Sequence, residues 1–137
     1  MNIRQYFMGL LLMGGMLGLG SCMSKPGILV PTNPIQANQL PKIYPDYIGV
    51  TVPATIAPLN FNVEDIDAES VNVVVEGSKI GELQSEGDYA NFDIDEWHHL
   101  LAQNRGGALK VTVYVEKKGN WTQYKDFDIH VSPYALD

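Results

Sequence analysis

The chain has 137 residues and 15.1 kDa, enough for one modest domain and too short for two ordinary ones. Hydrophobic residues at 45% and charged residues at 18% make a globular balance and exclude a disordered chain. Nine Lys and Arg against sixteen Asp and Glu leave a net charge of −7, which argues against a nucleic-acid partner, and the single cysteine excludes an internal disulfide or a thiolate-only metal site.

Residues 1–21 have the three parts of an export signal. Arg4 supplies the positive start, residues 6–19 form an uncharged apolar stretch, and the small residues Gly20 and Ser21 follow. The apolar stretch is shorter than the roughly 20 residues a membrane-spanning helix needs. Its four glycines (Gly9, Gly14, Gly15 and Gly18) weaken it as a structural helix in water.

Leu19-Gly20-Ser21-Cys22 resembles the lipobox of bacterial lipoproteins, with the sole cysteine at its last position. The resemblance implies that the thiol of Cys22 receives a diacylglycerol, that the signal is cut before it, and that the new amine is acylated. Two or three acyl chains hold far better than one, because each buried methylene adds about 0.8 kcal/mol. The partner so implied is a membrane, reached through Cys22. Loss of Arg4 with the signal leaves eight basic and sixteen acidic residues, so anionic headgroups repel the mature surface as a whole. Met23-Ser24-Lys25 places no acidic residue directly after the cysteine, and by the same resemblance this favours the periplasmic face of the outer membrane.

Residues 22–45 read as a tether. Pro26, Pro31, Pro34, Pro41 and Pro45 are interspersed with Asn33, Gln36, Asn38 and Gln39, and no period of 2 or 3.6 survives among them. An extended, polyproline-biased linker at about 3.1 Å per residue reaches roughly 60 Å over twenty residues. The alternative is an irregular strand docked on the domain near 27–30.

Residues 46–137 carry the folded domain. Leu59, Phe61 and Val63, then Val71, Val73 and Val75, then Leu109, Val111, Val113 and Val115, then Phe127, Ile129 and Val131 each recur at period two. Such runs put one apolar face inward, as half-buried antiparallel strands do. Weaker strands are expected over 48–52, 79–83 and 89–92, with turns at Gly77-Ser78, Glu86-Gly87-Asp88 and Lys118-Gly119-Asn120. About seven short strands whose apolar faces must cover one another predict an all-β, immunoglobulin-like antiparallel β-sandwich. One short helix interrupts the pattern. Asp93 is placed to cap it, Glu96 to complete a capping box, and Phe92 and Trp97 to form a hydrophobic staple. Leu100 and Leu101 continue its apolar face, and Gly106-Gly107 ends it.

Candidate chemistry is sparse. His98 and His99 are adjacent on the helix and diverge by about 100°, so they do not grip one metal together, and His130 lies on a polar strand face. No nucleophile elbow, phosphate loop or haem motif occurs, so no catalytic residue, cofactor or metal is assigned. Asp65-Ile66-Asp67 and Asp93-Ile94-Asp95 have a spacing used in calcium loops but lack the EF-hand order, and they read first as solvated acidic edges. Trp121, Tyr114 and Tyr124 cluster near the final hairpin, with Lys117 and Lys118 at its tip. Exposed together, the three rings form a platform for stacking on a sugar; the alternative is cross-strand packing.

Ile43-Tyr44-Pro45-Asp46-Tyr47, Val50-Thr51-Val52-Pro53, Ile56-Ala57-Pro58-Leu59-Asn60-Phe61, Gly119-Asn120-Trp121-Thr122-Gln123-Tyr124 and Phe127-Asp128-Ile129-His130-Val131 together resemble the amino-terminal region of certain Bacteroidota lipoproteins. Longer members of that group continue into a TolB-like, PD40-type β-propeller, which implies either a stand-alone short form or the front part of a larger protein. The expectation is therefore a non-enzymatic, lipid-anchored envelope module that contacts a protein partner or acts as a spacer. The alternative is a glycan-binding lipoprotein.

Overall fold

A computed structural model describes residues 30–65 and 67–134. The expected export signal and the lipid-bearing Cys22 lie outside the described residues. The described part is mostly β, with open sheets and one helix.

Among the described residues, nine strands occur in chain order: β1 (Ile35–Gln36), β2 (Ile43–Tyr44), β3 (Thr51–Val52), β4 (Asn62–Val63), β5 (Ser70–Gly77), β6 (Glu82–Gly87), β7 (Ala108–Lys117), β8 (Asn120–Gln123) and β9 (Phe127–Val131). The helix α1 (Ile94–Gln103) falls between β6 and β7. The main sheet runs β6-β5-β7 and then divides, because β8 and β9 both pair antiparallel with β7, one along each half. Tyr114 opposes Gln123 and Val111 opposes Phe127, so three residues on one side face two on the other. Tyr124 N–H donates to the Val113 carbonyl at 3.0 Å and continues the ladder, so the extra residue falls at Lys125–Asp126 and β8 and β9 are one strand bent by a one-residue bulge.

The expected alternation survives where it is strongest. On β5 and β7, Val71, Val73, Val75, Leu109, Val111, Val113 and Val115 are all buried and belong to one apolar cluster. Each such side chain contributes about 1.5–3 kcal/mol on leaving water. A second layer covers this face. It consists of α1, the two-stranded β2–β4 sheet and the loop between β3 and β4, which deliver Ile43, Leu59, Phe61, Phe92, Trp97, Leu100 and Leu101 to the same core. The arrangement is sandwich-like, with a broad sheet on one side and a thin, partly helical layer on the other.

The helix follows its local signals. Asp93 caps it by accepting Glu96 N–H at 3.0 Å, and Phe92 stacks on Trp97 with ring centres 5.6 Å apart. Trp97 Nε1 donates to the Ile56 carbonyl at 3.1 Å, and His98 Nε2 lies 3.0 Å from the same oxygen. One turn of helix thereby pins the loop after β3.

Three expectations are corrected. The sheet is mixed: β1 runs parallel to β8, and β3 runs parallel to β9. Both strands arrive from a long incoming segment, where no tight hairpin dictates the antiparallel sense. The weaker strands are also shorter or shifted. Residues 48–52 leave only Thr51–Val52, the 79–83 strand begins at Glu82 after Gly81 turns at positive φ, and 89–92 leaves one bridge between Phe61 and Ala90.

The third correction concerns the boundary at residue 46. Residues 30–45 do not stand off as a polyproline tether over their length. Ile35 and Gln36 pair with Thr122 and Gln123, Ala37 N–H donates to Gln123 O, and Lys125 N–H donates to Gln39 O. Ile43 is buried in the core, and Glu64 N–H donates to Lys42 O. The segment is a strap laid along the body. Its prolines fall between the paired residues, where no ladder donor is needed.

Candidate functional site

The most developed polar cluster brings together three residues that the sequence presents under separate headings. Asp65 leads an acidic turn, Lys117 ends β7 beside the hairpin tip, and Tyr124 lies just past β8, ahead of the bulge that leads into β9. Asp65 Oδ2 lies 2.7 Å from Lys117 Nζ and accepts the Tyr124 hydroxyl at 3.1 Å. Its Oδ1 accepts Asp67 N–H at 3.2 Å, closing an Asx turn. The hairpin tip is held to the same loop, because Lys118 N–H donates to Glu69 Oε1 at 3.1 Å. Lys118 and Gly119 both have positive φ, as a two-residue primed turn requires.

The cluster borders a cavity of about 470 Å³ lined by Gln39, Leu40, Lys42, Val63, Glu64, Asp65, Lys117 and Tyr124. One wall is the strap and the other is the root of the β7–β8 hairpin. The electrostatics fix each group in its ordinary form. The Lys117 hydrogen bond holds the Asp65 carboxyl below the usual carboxylate range, against a smaller upward push from burial. The same bond raises the Lys117 ammonium above its usual range. Tyr124 is raised chiefly by burial, with the Asp65 hydrogen bond next. A general acid or base works best with a pKa near the operating pH, and all three shifts point away from it. The arrangement holds charge in place and clamps the strap, the acidic turn and the hairpin together.

This clamp has a testable pH signature. Asp65 is lowered on folding, so its contribution is present above its unfolded pKa near 3.8 and fades as pH falls through the folded value. Lys117 is raised, so its share is present below 10.5 and fades as pH climbs through its higher folded value. Asp65→Asn should cost about 1 kcal/mol at pH 7, the upper range for a pair that still touches solvent. Denaturant melts at pH 7 and pH 3 should show that the variant's deficit shrinks in acid. A deficit equal at both pH values contradicts the ion pair.

The three aromatic residues do not share a face. The register places Tyr114 and Trp121 on the outer side of the main sheet, opposite Gln123 and Glu116. Tyr124 follows Gln123 in plain alternation, opposite the inward Val113, and joins the core instead. Tyr114 and Tyr124 are only 7% and 8% exposed, and burial together with the nearby Glu76 charge raises the Tyr114 hydroxyl pKa. Trp121 is half-buried. The stacking platform is therefore corrected: two of its three rings are spent on packing and present no open π-face to a sugar.

His98 is occupied at the Ile56 carbonyl, while His99 and His130 are exposed on separate elements. Among the described residues, no group of three or more His, Cys, Asp or Glu side chains stands together as a metal site. In the two D-x-D segments, Asp65 is bound to Lys117 and Tyr124, and Asp93 caps α1. Sequence reasoning missed the Asp65–Lys117–Tyr124 union because its members lie far apart along the chain, 59 residues in the case of Asp65 and Tyr124. The available signal was parity, because alternation along the strand sets Tyr124 on the opposite face from Trp121.

Comparison with protein-family models, curated proteins and solved structures gives no match to this chain.

Proposed function

We propose that the protein is a non-enzymatic, lipid-anchored interaction or spacer module of the bacterial cell envelope, held by acyl chains on Cys22 in the outer membrane and facing the periplasm. The observation that carries this reading is the strap. The chain that continues from the lipobox is built into the edge of the main sheet by β1–β8 pairing and clamped beside Asp65, Lys117 and Tyr124. A module that transmits position from a membrane to a partner needs such a rigid junction. The domain in this reading is an immunoglobulin-like sandwich with a reduced second sheet. The order β9-β7-β5-β6 corresponds to the G-F-C-C′ sheet of variable-type domains, and β2, β4 and Ala90 supply remnants of A, B and E. The resemblance to the front region of TolB-like propeller lipoproteins fits a body placed between a bilayer and a larger partner.

Intact-mass spectrometry of the protein extracted from bacterial membranes tests the anchor. A chain beginning at Cys22 and carrying a diacylglycerol thioether is expected. A free thiol there overturns the reading, as does turnover of any substrate that Asp65→Asn abolishes.

A further inference from the structure

The docked strap changes how far the body stands from its anchor. Seven residues, 23–29, separate Cys22 from Val30, where the described structure begins. Fully extended they span at most about 25 Å. A folded domain of about 100 residues has a radius of gyration near 13 Å, so this leash is shorter than the body is wide. The leash therefore keeps the body within about 25 Å of the bilayer, and one of its faces is presented to the lipid at short range.

Two independent features select the strap face. The first is apolar exposure. Among the described residues, eight large hydrophobic side chains are strongly exposed, and four of them, Val30, Ile35, Leu40 and Tyr44, fall on the strap at 44–66% exposure. The second is charge. Residues 22–45 contain no Asp or Glu and carry only Lys25 and Lys42, so all sixteen carboxylates of the chain belong to residues 46–137. On a protein this acidic, the strap is the stretch that an anionic bilayer does not repel. Of the carboxylates that border it at the cavity, Asp65 is neutralised by Lys117, which leaves Glu64. Tyrosine and exposed aliphatic side chains favour the headgroup–acyl boundary.

We infer that the strap, through Ile35, Leu40 and Tyr44, docks the body on the lipid bilayer that carries its anchor. This rests on the reading of Cys22 as lipidated. The far edge of the main sheet supplies an internal control. Ile80 is equally apolar and 58% exposed, but it lies beside β6, four strand positions from β1 and about 19 Å away.

The test uses the mature lipoprotein reconstituted in phosphatidylethanolamine–phosphatidylglycerol vesicles. With Cys22 in thioether linkage, Ile35→Cys, Leu40→Cys, Tyr44→Cys or Ile80→Cys provides the one free thiol for an environment-sensitive fluorophore. Acyl-chain nitroxide lipids should quench positions 35, 40 and 44 about threefold more than position 80. A Leu40→Glu, Tyr44→Glu double variant should float with the vesicles yet lose the excess quenching at position 35. If the protein floats and the strap positions quench no more than position 80, docking is overturned while the anchor stands. If it does not float and Cys22 itself accepts the label, the anchor reading falls and docking falls with it.

Discussion

Trp97→Ala should lower the unfolding free energy by about 4 kcal/mol, the middle of the range for emptying a buried tryptophan site. Trp97 is almost fully buried at the centre of the second layer, where it stacks on Phe92 and donates to the Ile56 carbonyl. Truncation removes the ring contacts, leaves a void between α1 and the main sheet, and withdraws one of two partners from that carbonyl. Against a typical total of about 5–15 kcal/mol, the loss brings a domain of this size close to its threshold. The melting temperature should fall by about 15–30 °C. Trp97→Phe separates the contributions, because it keeps most of the ring packing and loses only the N–H, at about 1–1.5 kcal/mol. A Trp97→Ala cost under about 1 kcal/mol contradicts the packing of α1 on the sheet.

Asn104 should prove nearly as sensitive, although it is polar and stands at a helix end. Its side chain is completely buried and makes four hydrogen bonds. Oδ1 accepts Lys79 N–H at 2.8 Å and Ile80 N–H at 3.3 Å, while Nδ2 donates to Ile80 O and Leu100 O, both at 2.8 Å. The amide thus replaces missing backbone partners for both the end of α1 and the β5–β6 turn. Gly77 has no side chain because a Cβ there would collide with this amide. Asn104→Ala strands buried donors and acceptors, and the expected cost is about 3 kcal/mol. Asn104→Asp retains the acceptor but sets carboxylate oxygen against two carbonyls, so it should rescue little at pH 7. Acidification should then recover part of the loss, because the protonated acid can donate. Full rescue by Asp at neutral pH contradicts the donor role of Nδ2.

The parts of this molecule that were legible in sequence are those governed by local periodicity. Val71, Val73 and Val75, and the apolar positions from Leu109 to Val115, alternate over enough residues for burial of one face to dominate. The Asp93 cap and the Phe92–Trp97 pair were legible because a few neighbouring residues define them. The strap was not. Two-residue strands carry no period, and Ile43 is its one deeply buried hydrophobic side chain, so pairing partners distant in sequence decide its path. The place of Tyr124 follows from parity. Tyr124 continues the β7 register opposite the inward Val113, so plain alternation sets it on the other side from Trp121 and Tyr114 and turns it to the core and to Asp65.

Both the envelope role and the membrane-facing orientation depend on the strap folding with the body. Hydrogen exchange resolved to single amides tests that dependence most directly. Ala37 N–H, Glu64 N–H and Lys125 N–H, which bond across the strap in both directions, should be protected at least about 100-fold over random-coil rates and should lose protection together with the β3–β9 edge. Exchange of these three amides at random-coil rates, while β5 and β7 stay protected, would return residues 30–45 to a free tether and contradict the account.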